Sequence, residues 1–131
     1  MSGARDWKKI TGFVLQVVVG GMMILSGAMK LGTLPTEMEA ELAKKGSGLV
    51  PNIKLIGVGE IASAVLMIVP VTASLGTLLT SGFWGGAICL HLSHNEPYLF
   101  QSALLLVTWV GAFLRMPYMF GSFSPSLIKE T

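Results

Sequence analysis

Four long apolar segments, separated by short polar ones, dominate the pattern along the chain. They cover about residues 10–31, 53–69, 72–92 and 98–114. A helix that crosses a bilayer needs roughly 20 mainly apolar residues, with a range of about 17–25. Because all four segments reach that range and hold few charges, the pattern predicts an all-α membrane protein, a four-transmembrane-helix bundle.

The connections between these segments differ in length. Pro70–Val71 predicts a tight turn before the third segment, and His94–Pro97 predicts another before the fourth. The longer first connection carries Thr36 and Glu39 at capping-box spacing. It predicts a short amphipathic helix at about residues 36–45, which lies on the membrane surface or covers the mouth of the bundle.

The composition supports this class of protein. Of the 131 residues, 52% are apolar and only 12% are charged. A soluble domain of this size needs a mostly polar shell, whereas a single unit solvated by lipid does not. The net charge of +2, without a basic patch, argues against nucleic-acid binding. The lone cysteine, Cys89, excludes an internal disulfide and a CxxC redox pair.

The distribution of basic residues gives an expected orientation. The side that holds both termini carries Arg5, Lys8, Lys9, Arg115 and Lys129. The opposite side carries Lys30, Lys44, Lys45 and Lys54. Because the N-terminal basic cluster flanks the first span, we expect a multi-pass protein of the cell membrane with both termini in the cytoplasm. A signal peptide is the alternative for the first span, but its apolar run is long for one.

Glu60 lies near the middle of the second predicted span. A carboxylate there costs roughly 2.5–3.5 kcal/mol on insertion scales, so it must be paired, protonated or in contact with water. Gly57, Ser63 and Ala64 share its helix face, which predicts that the carboxyl points into the bundle. Glu60 is therefore a candidate for proton relay or ligand binding, and the alternatives are a structural ion pair or a neutral acid that is hydrogen-bonded in the core.

Polar side chains on the other three spans are predicted at one side of the membrane. Lys30 ends the first span, His91 and His94 end the third, and Gln101 lies near the start of the fourth. Glu60 is expected one and a half to two turns deeper. The long stem of Lys30 makes it the predicted partner of Glu60. The pattern thus predicts a polar pocket whose ligand or proton-relay residues are these five.

The two histidines also raise the question of a metal. His91 and His94 are spaced i, i+3, which can bind a metal from one helix face. Glu60 is expected to lie too deep to be the third ligand, so no bound metal is predicted. Because histidine titrates near neutral pH, a proton relay from this pair to Glu60 is a more credible interpretation than a metal site. The alternative is that the two histidines are ordinary solvated polar residues at the membrane interface.

The third span carries a face of small residues, Gly82, Gly85 and Gly86, next to Cys89. Such a face permits helices to approach closely. It predicts helix packing, either inside the bundle or against a second copy of the chain in a homo-oligomer.

Four motifs occur in a characteristic order: Ser26–Leu31, Gly57–Glu60, Gly85–Ala87 followed by His91, and Trp109–Arg115. With them the chain, from about Asp6 to Pro117, resembles the DoxX-like family of small membrane proteins. The resemblance implies a four-helix bundle with the Lys, Glu and His on facing helices. It also implies a link to quinone-linked sulfur oxidation or to thiol and oxidative-stress systems, while some distant relatives are assembly factors.

Three functions remain open at this point. The chain has no cysteine pair and no flavin, haem or iron–sulfur motif. It is therefore at most an accessory subunit of an oxidoreductase, whose partner protein holds the cofactor or whose quinone enters from the lipid. The alternatives are a small proton-coupled transporter and a non-catalytic assembly or scaffold protein. In small multidrug transporters the membrane glutamate lies on the first helix, whereas here it lies on the second.

Overall fold

The computed structural model describes residues 2–32, 35–46, 48–121 and 123, and helices account for most of them. The five α-helices are α1 (Ser2–Leu31), α2 (Thr36–Lys45), α3 (Ile53–Ile68), α4 (Ala73–Ser93) and α5 (Leu99–Arg115). Two 3-10 turns, Pro70–Thr72 and Pro117–Phe120, follow α3 and α5. Within the described ranges no strand is present, and the predicted all-α class is confirmed.

Four of the helices pack against one another in a ring. α1 contacts α3 and α5, and α4 contacts the same two helices. Their shared interior holds one apolar cluster: Val19, Met23, Ala64, Met67, Trp84 and Leu104. None of the residues of α2 is buried, so this helix lies outside the ring.

Two helices are long and apolar enough to cross a membrane by length and composition. They are Asp6–Leu31, with 26 residues, and Pro70–Ser93, with 24. Leu99–Arg115 is apolar but shorter. The structure thus supports two candidate spans, and the four-span bundle stays a prediction.

Compared with a water-soluble protein, polar side chains are unusually frequent inside the ring and apolar side chains are unusually frequent on its outer surface. The buried polar residues are Gln16, Glu60, Ser63, Thr77, Thr80 and Thr108. Meanwhile leucines and valines stand exposed on the outer faces of the four packed helices, with Leu55 70% and Leu25 67% accessible. An apolar exterior around an interior that holds paired polar groups is what a helical bundle in lipid requires.

The start of α1 and the capping of α2 differ from the sequence predictions. α1 begins at Ser2 and not near residue 10, because good helix formers such as Lys8 and Lys9 extend the helix beyond its apolar part. α2 begins at Thr36 as predicted, but the predicted capping box between Thr36 and Glu39 does not form. Pro35 is the N-cap, its carbonyl accepts the Glu39 N–H at 3.0 Å, and no side chain caps the helix.

Glycines set how closely the packed helices approach. A Cβ at Gly27 would lie 2.8 Å from the Gly57 carbonyl oxygen, and a Cβ at Gly57 would lie 2.8 Å from the Gly27 carbonyl oxygen. A Cβ at Gly76 would overlap the backbone of α3 at Leu66 and Met67. Each of these helix pairs therefore depends on a missing side chain.

The predicted packing face on α4 is oriented differently. A Cβ at Gly82, Gly85 or Gly86 would meet no described atom within 4 Å. These glycines point away from the ring because Thr77, Thr80 and Trp84 occupy the inward side of α4. Packing inside the bundle is therefore wrong for this face, and contact with a second copy stays a prediction.

We predict that Gly76→Ala lowers the free energy of unfolding by about 1–3 kcal/mol, because the new methyl group meets backbone that cannot rotate away. Gly82→Ala is the matched control on the same helix, and helix propensity predicts a gain of roughly 0.5–1 kcal/mol there. Denaturant unfolding in mild detergent measures both. Equal effects of the two variants would contradict the close α3–α4 contact.

Candidate functional site

The centre of the candidate site is an ion pair between α1 and α3. Lys30 Nζ lies 2.5 Å from Glu60 Oε2, as the sequence predicts for this pair. The Glu60 side chain is 1% exposed and that of Lys30 is 23% exposed. The ammonium also donates a hydrogen bond to Ser26 Oγ at 3.0 Å. The carboxylate thus receives its counter-charge from the rim of the bundle.

Matching glycine spacing on the two helices produces this contact. Gly27 stands three residues before Lys30, and Gly57 stands three residues before Glu60. Residues three apart share a helix face, and the two helices run antiparallel, so Lys30 and Glu60 lie about one turn from the crossing point in opposite directions. A Cβ at Gly57 would lie 3.0 Å from Lys30 Cβ. The close crossing therefore brings the lysine stem within reach of Glu60.

The energetics of such a pair are asymmetric. Removing two charges from water is costly, and their attraction in a low-dielectric interior offsets much of that cost. Removing one partner alone typically costs about 3–5 kcal/mol, because a buried charge is left uncompensated. Loss of either partner alone is therefore expected to destabilise the bundle more than replacement of both by apolar residues of similar volume.

Two aromatic rings on α4 extend the site. Lys30 Nζ lies 5.5 Å from the centroid of the Phe83 ring, within the range of a cation–π contact. The Phe83 and Trp84 rings meet edge to face, with centroids 5.0 Å apart. Trp84 belongs to the buried apolar cluster. The ion pair and the core of the bundle thus join through Phe83.

The histidines lie in two different environments. His91 Nδ1 is 2.8 Å from the Ala87 carbonyl oxygen, which can only accept, so this nitrogen carries the proton. Its Nε2 is then free to accept from the Gln101 amide nitrogen, 3.4 Å away. The structure therefore brings His91 of α4 into contact with Gln101 of α5.

His94 lies outside this group. It is exposed at the end of α4 and contacts Ser93 Oγ and the Leu90 carbonyl oxygen. It lines a surface cavity of about 290 Å³ that is otherwise formed by charged residues: Glu41, Lys44, Lys45 and Glu96. Neither His91 nor His94 hydrogen-bonds to Glu60, so the relay stays a prediction. Among the described residues, no three His, Cys, Asp or Glu side chains are placed to hold a metal ion.

A second polar cluster, at the other end of the bundle, was not predicted. Arg115 donates to Gln16 Oε1 at 2.9 Å and to the carbonyl oxygens of Met67 and Ile68 at 2.7 and 2.8 Å. Gln16 in turn donates to Thr77 Oγ1 at 3.0 Å. Gln16 and Arg115 are polar residues within otherwise apolar segments, and this was the only feature of the sequence that could have indicated the cluster. Their contact depends on how each helix is rotated about its own axis within the bundle, and residue spacing along the chain does not determine this rotation.

Three buried polar atoms have no hydrogen-bond partner among the described residues. They are Thr80 Oγ1, Trp84 Nε1 and Gln101 Oε1. Thr80 and Trp84 lie on the inward face of α4, between the Arg115 cluster and His91. The interior between the two polar clusters thus retains unused hydrogen-bonding capacity.

The arrangement can be compared with known proteins. Residues 14–114 match the DoxX-like family, and this range includes Lys30, Glu60, His91 and Gln101. No match was found among curated proteins or among solved structures. The matched range covers more than half of the 131 residues. The chain therefore belongs to the DoxX-like family.

Proposed function

We propose that the chain is a multi-pass membrane protein in which α1, α3, α4 and α5 all cross the bilayer. The apolar outer faces of the four helices support this, since exposed apolar area on this scale is not tolerated in water. α3 has 16 residues and a length of about 24 Å, less than the roughly 30 Å of the hydrocarbon core. Local thinning of the bilayer and the long stems of flanking lysines accommodate such a difference.

The same proposal places both termini in the cytoplasm. An even number of spans puts α1's first residues and the turn after α5 on one side, and α2 on the other. The N-terminal basic cluster favours the cytoplasm for the first of these sides.

Cysteine labelling tests this topology. In a Cys89→Ser background we expect Lys44→Cys on α2 to react with a membrane-impermeant maleimide in intact cells. Gly3→Cys and Tyr118→Cys, both at exposed positions, should react only after lysis. Labelling of only one of Gly3→Cys and Tyr118→Cys in intact cells would contradict four spans. Labelling of both, with Lys44→Cys protected, would contradict the orientation.

Within this bundle we propose a membrane subunit of a quinone- or thiol-linked redox system, which binds a lipid-soluble ligand at the Lys30–Glu60 pair. The observation that carries the proposal is the pair itself, a buried carboxylate with a partly accessible ammonium in an apolar interior. Ionisable groups at such a depth are costly, and they mark ligand or proton pathways more often than structural sites. Family membership supports a redox role by analogy only.

The residues fit a quinone in their chemistry. Quinone reduction consumes two electrons and two protons, and the electrons would come from a partner protein that carries a flavin or a metal centre. The Lys30 ammonium can donate a hydrogen bond to a carbonyl oxygen and supply a proton at Nζ. Glu60 Oε2, 2.5 Å away, is an ionised carboxylate with no proton to give. Both protons of the reduction would therefore come from water through Nζ, which is protonated again from the accessible rim after each transfer while Glu60 holds it in place. The Phe83 ring beside Nζ offers an apolar face for a flat ring.

A scaffold function is the second candidate, and the exposed glycine face favours it. Gly82 and Gly86 leave the outer side of α4 open to close approach by another helix. Under this function Glu60→Gln leaves the phenotype in cells intact, whereas Gly86→Leu abolishes it.

Ligand binding tests the redox proposal. For the protein in lipid nanodiscs we expect saturable binding of a short-chain ubiquinone or menaquinone analogue, measured by calorimetry. Glu60→Gln should weaken binding at least about tenfold, because it removes the charge that orients Lys30. A tenfold loss of affinity corresponds to about 1.4 kcal/mol of binding free energy. Lys54→Met, on an exposed lysine of α3, is the control that should bind as the wild type does.

Two results would overturn the redox proposal. One is the absence of saturable binding by the wild type, and the other is unchanged affinity in Glu60→Gln. Substrate-driven proton flux in liposomes, without quinone binding, would identify the transporter alternative instead.

A further inference from the structure

Two polar groups in the interior of the bundle have no hydrogen-bond partner among the described residues. The Thr80 side chain is fully buried and Trp84 is 8% exposed, yet the Thr80 hydroxyl and the Trp84 indole N–H are both unpaired. Leaving a buried polar group unsatisfied costs roughly 1–3 kcal/mol. Such groups in a native structure call for an explanation.

Comparable groups in the other packed helices and on α4 itself are paired, which makes these two exceptional. The hydroxyls of Ser63, Thr77 and Thr108 each donate to the carbonyl oxygen four residues earlier, at 2.7–2.8 Å. The Trp109 indole donates to Ser81 Oγ at 2.9 Å. Thr80 could bond back along its own helix in the same way but does not. Its hydroxyl therefore keeps its hydrogen-bonding capacity unused.

The two groups lie together and close to the ion pair. Thr80 and Trp84 are four residues apart on α4, so they share its inward face. The contact of Gly76 with Met67 sets which residues of the antiparallel helices α3 and α4 lie at the same depth. Trp84 lies eight residues after Gly76 and Glu60 seven residues before Met67, so Trp84 and Glu60 lie at about the same depth. Phe83 connects them to the pair, because its ring contacts both Lys30 Nζ and the Trp84 ring.

We propose that Thr80 and Trp84 form the deep hydrogen-bonding end of the ligand site, a role that rests on the redox function proposed above. An indole N–H can only donate, and a hydroxyl can donate, so this end selects an acceptor oxygen. Lys30 Nζ, held beside Glu60, provides the second donor, and Thr80 lies one turn deeper in the bundle. The ligand class that satisfies both ends is an apolar molecule with two acceptor oxygens on opposite sides of a flat ring, which displaces the Phe83 side chain on entry.

Two pairs of matched variants test this assignment. Trp84→Phe and Thr80→Val remove the unpaired groups, while Trp109→Phe and Thr77→Val remove groups that are paired within the protein. Each variant is examined twice in nanodiscs, for its unfolding temperature without ligand and for its Kd for the short-chain ubiquinone analogue.

We expect opposite patterns from the two pairs. Trp84→Phe and Thr80→Val should keep or raise the unfolding temperature and weaken binding about five- to tenfold each, the loss of one hydrogen bond. Trp109→Phe and Thr77→Val should lower the unfolding temperature and leave the Kd unchanged.

The outcomes separate this inference from the proposed function. If the wild type binds the analogue while Trp84→Phe and Thr80→Val bind equally well, the assignment is wrong and the redox proposal stands. A lowered unfolding temperature in these two variants, matching that of the controls, would show that the groups are satisfied internally and would also overturn it. If the wild type does not bind the analogue, both proposals fail together.

Discussion

The pairing of one carboxylate with one ammonium in an apolar interior is the constraint on which the rest of the structure depends. Glu60 cannot be left charged and alone at that depth, so α1 must come close enough to α3 to deliver Lys30. The close approach requires Gly27 and Gly57, each facing the backbone of the other helix. The site and the packing of the first helix pair are therefore one arrangement.

The other end of the bundle is held by a different kind of contact. Arg115 donates to the carbonyl oxygens of Met67 and Ile68, which belong to the last turn of α3 and have no partner within that helix. A cation at a helix C-terminus also matches the helix dipole. Through Gln16 and Thr77 the cluster joins all four packed helices.

The sequence predicted the helices and the Lys30–Glu60 pair for physical reasons. Apolar length identified the segments, and the small residues around Glu60 identified its inward face. Such patterns do not determine how each helix is rotated about its own axis in the bundle. The contact of Arg115 with Gln16 depends on how α5 turns towards α1, and the glycine face of α4 looked equally suited to the inside or the outside. The unpaired state of Thr80 and Trp84 depends on side-chain rotamers, which spacing along the chain does not determine.

The ionisation state of Glu60 in a bilayer tests the central claim most directly. Infrared difference spectra of the protein in liposomes, with Glu60→Gln as the reference, isolate the signal of this carboxyl group. The account predicts an ionised carboxylate in the wild type that becomes a neutral acid in Lys30→Met, because the buried charge then has no counter-ion. A neutral Glu60 in the wild type, or an identical signal in Lys30→Met, would contradict it.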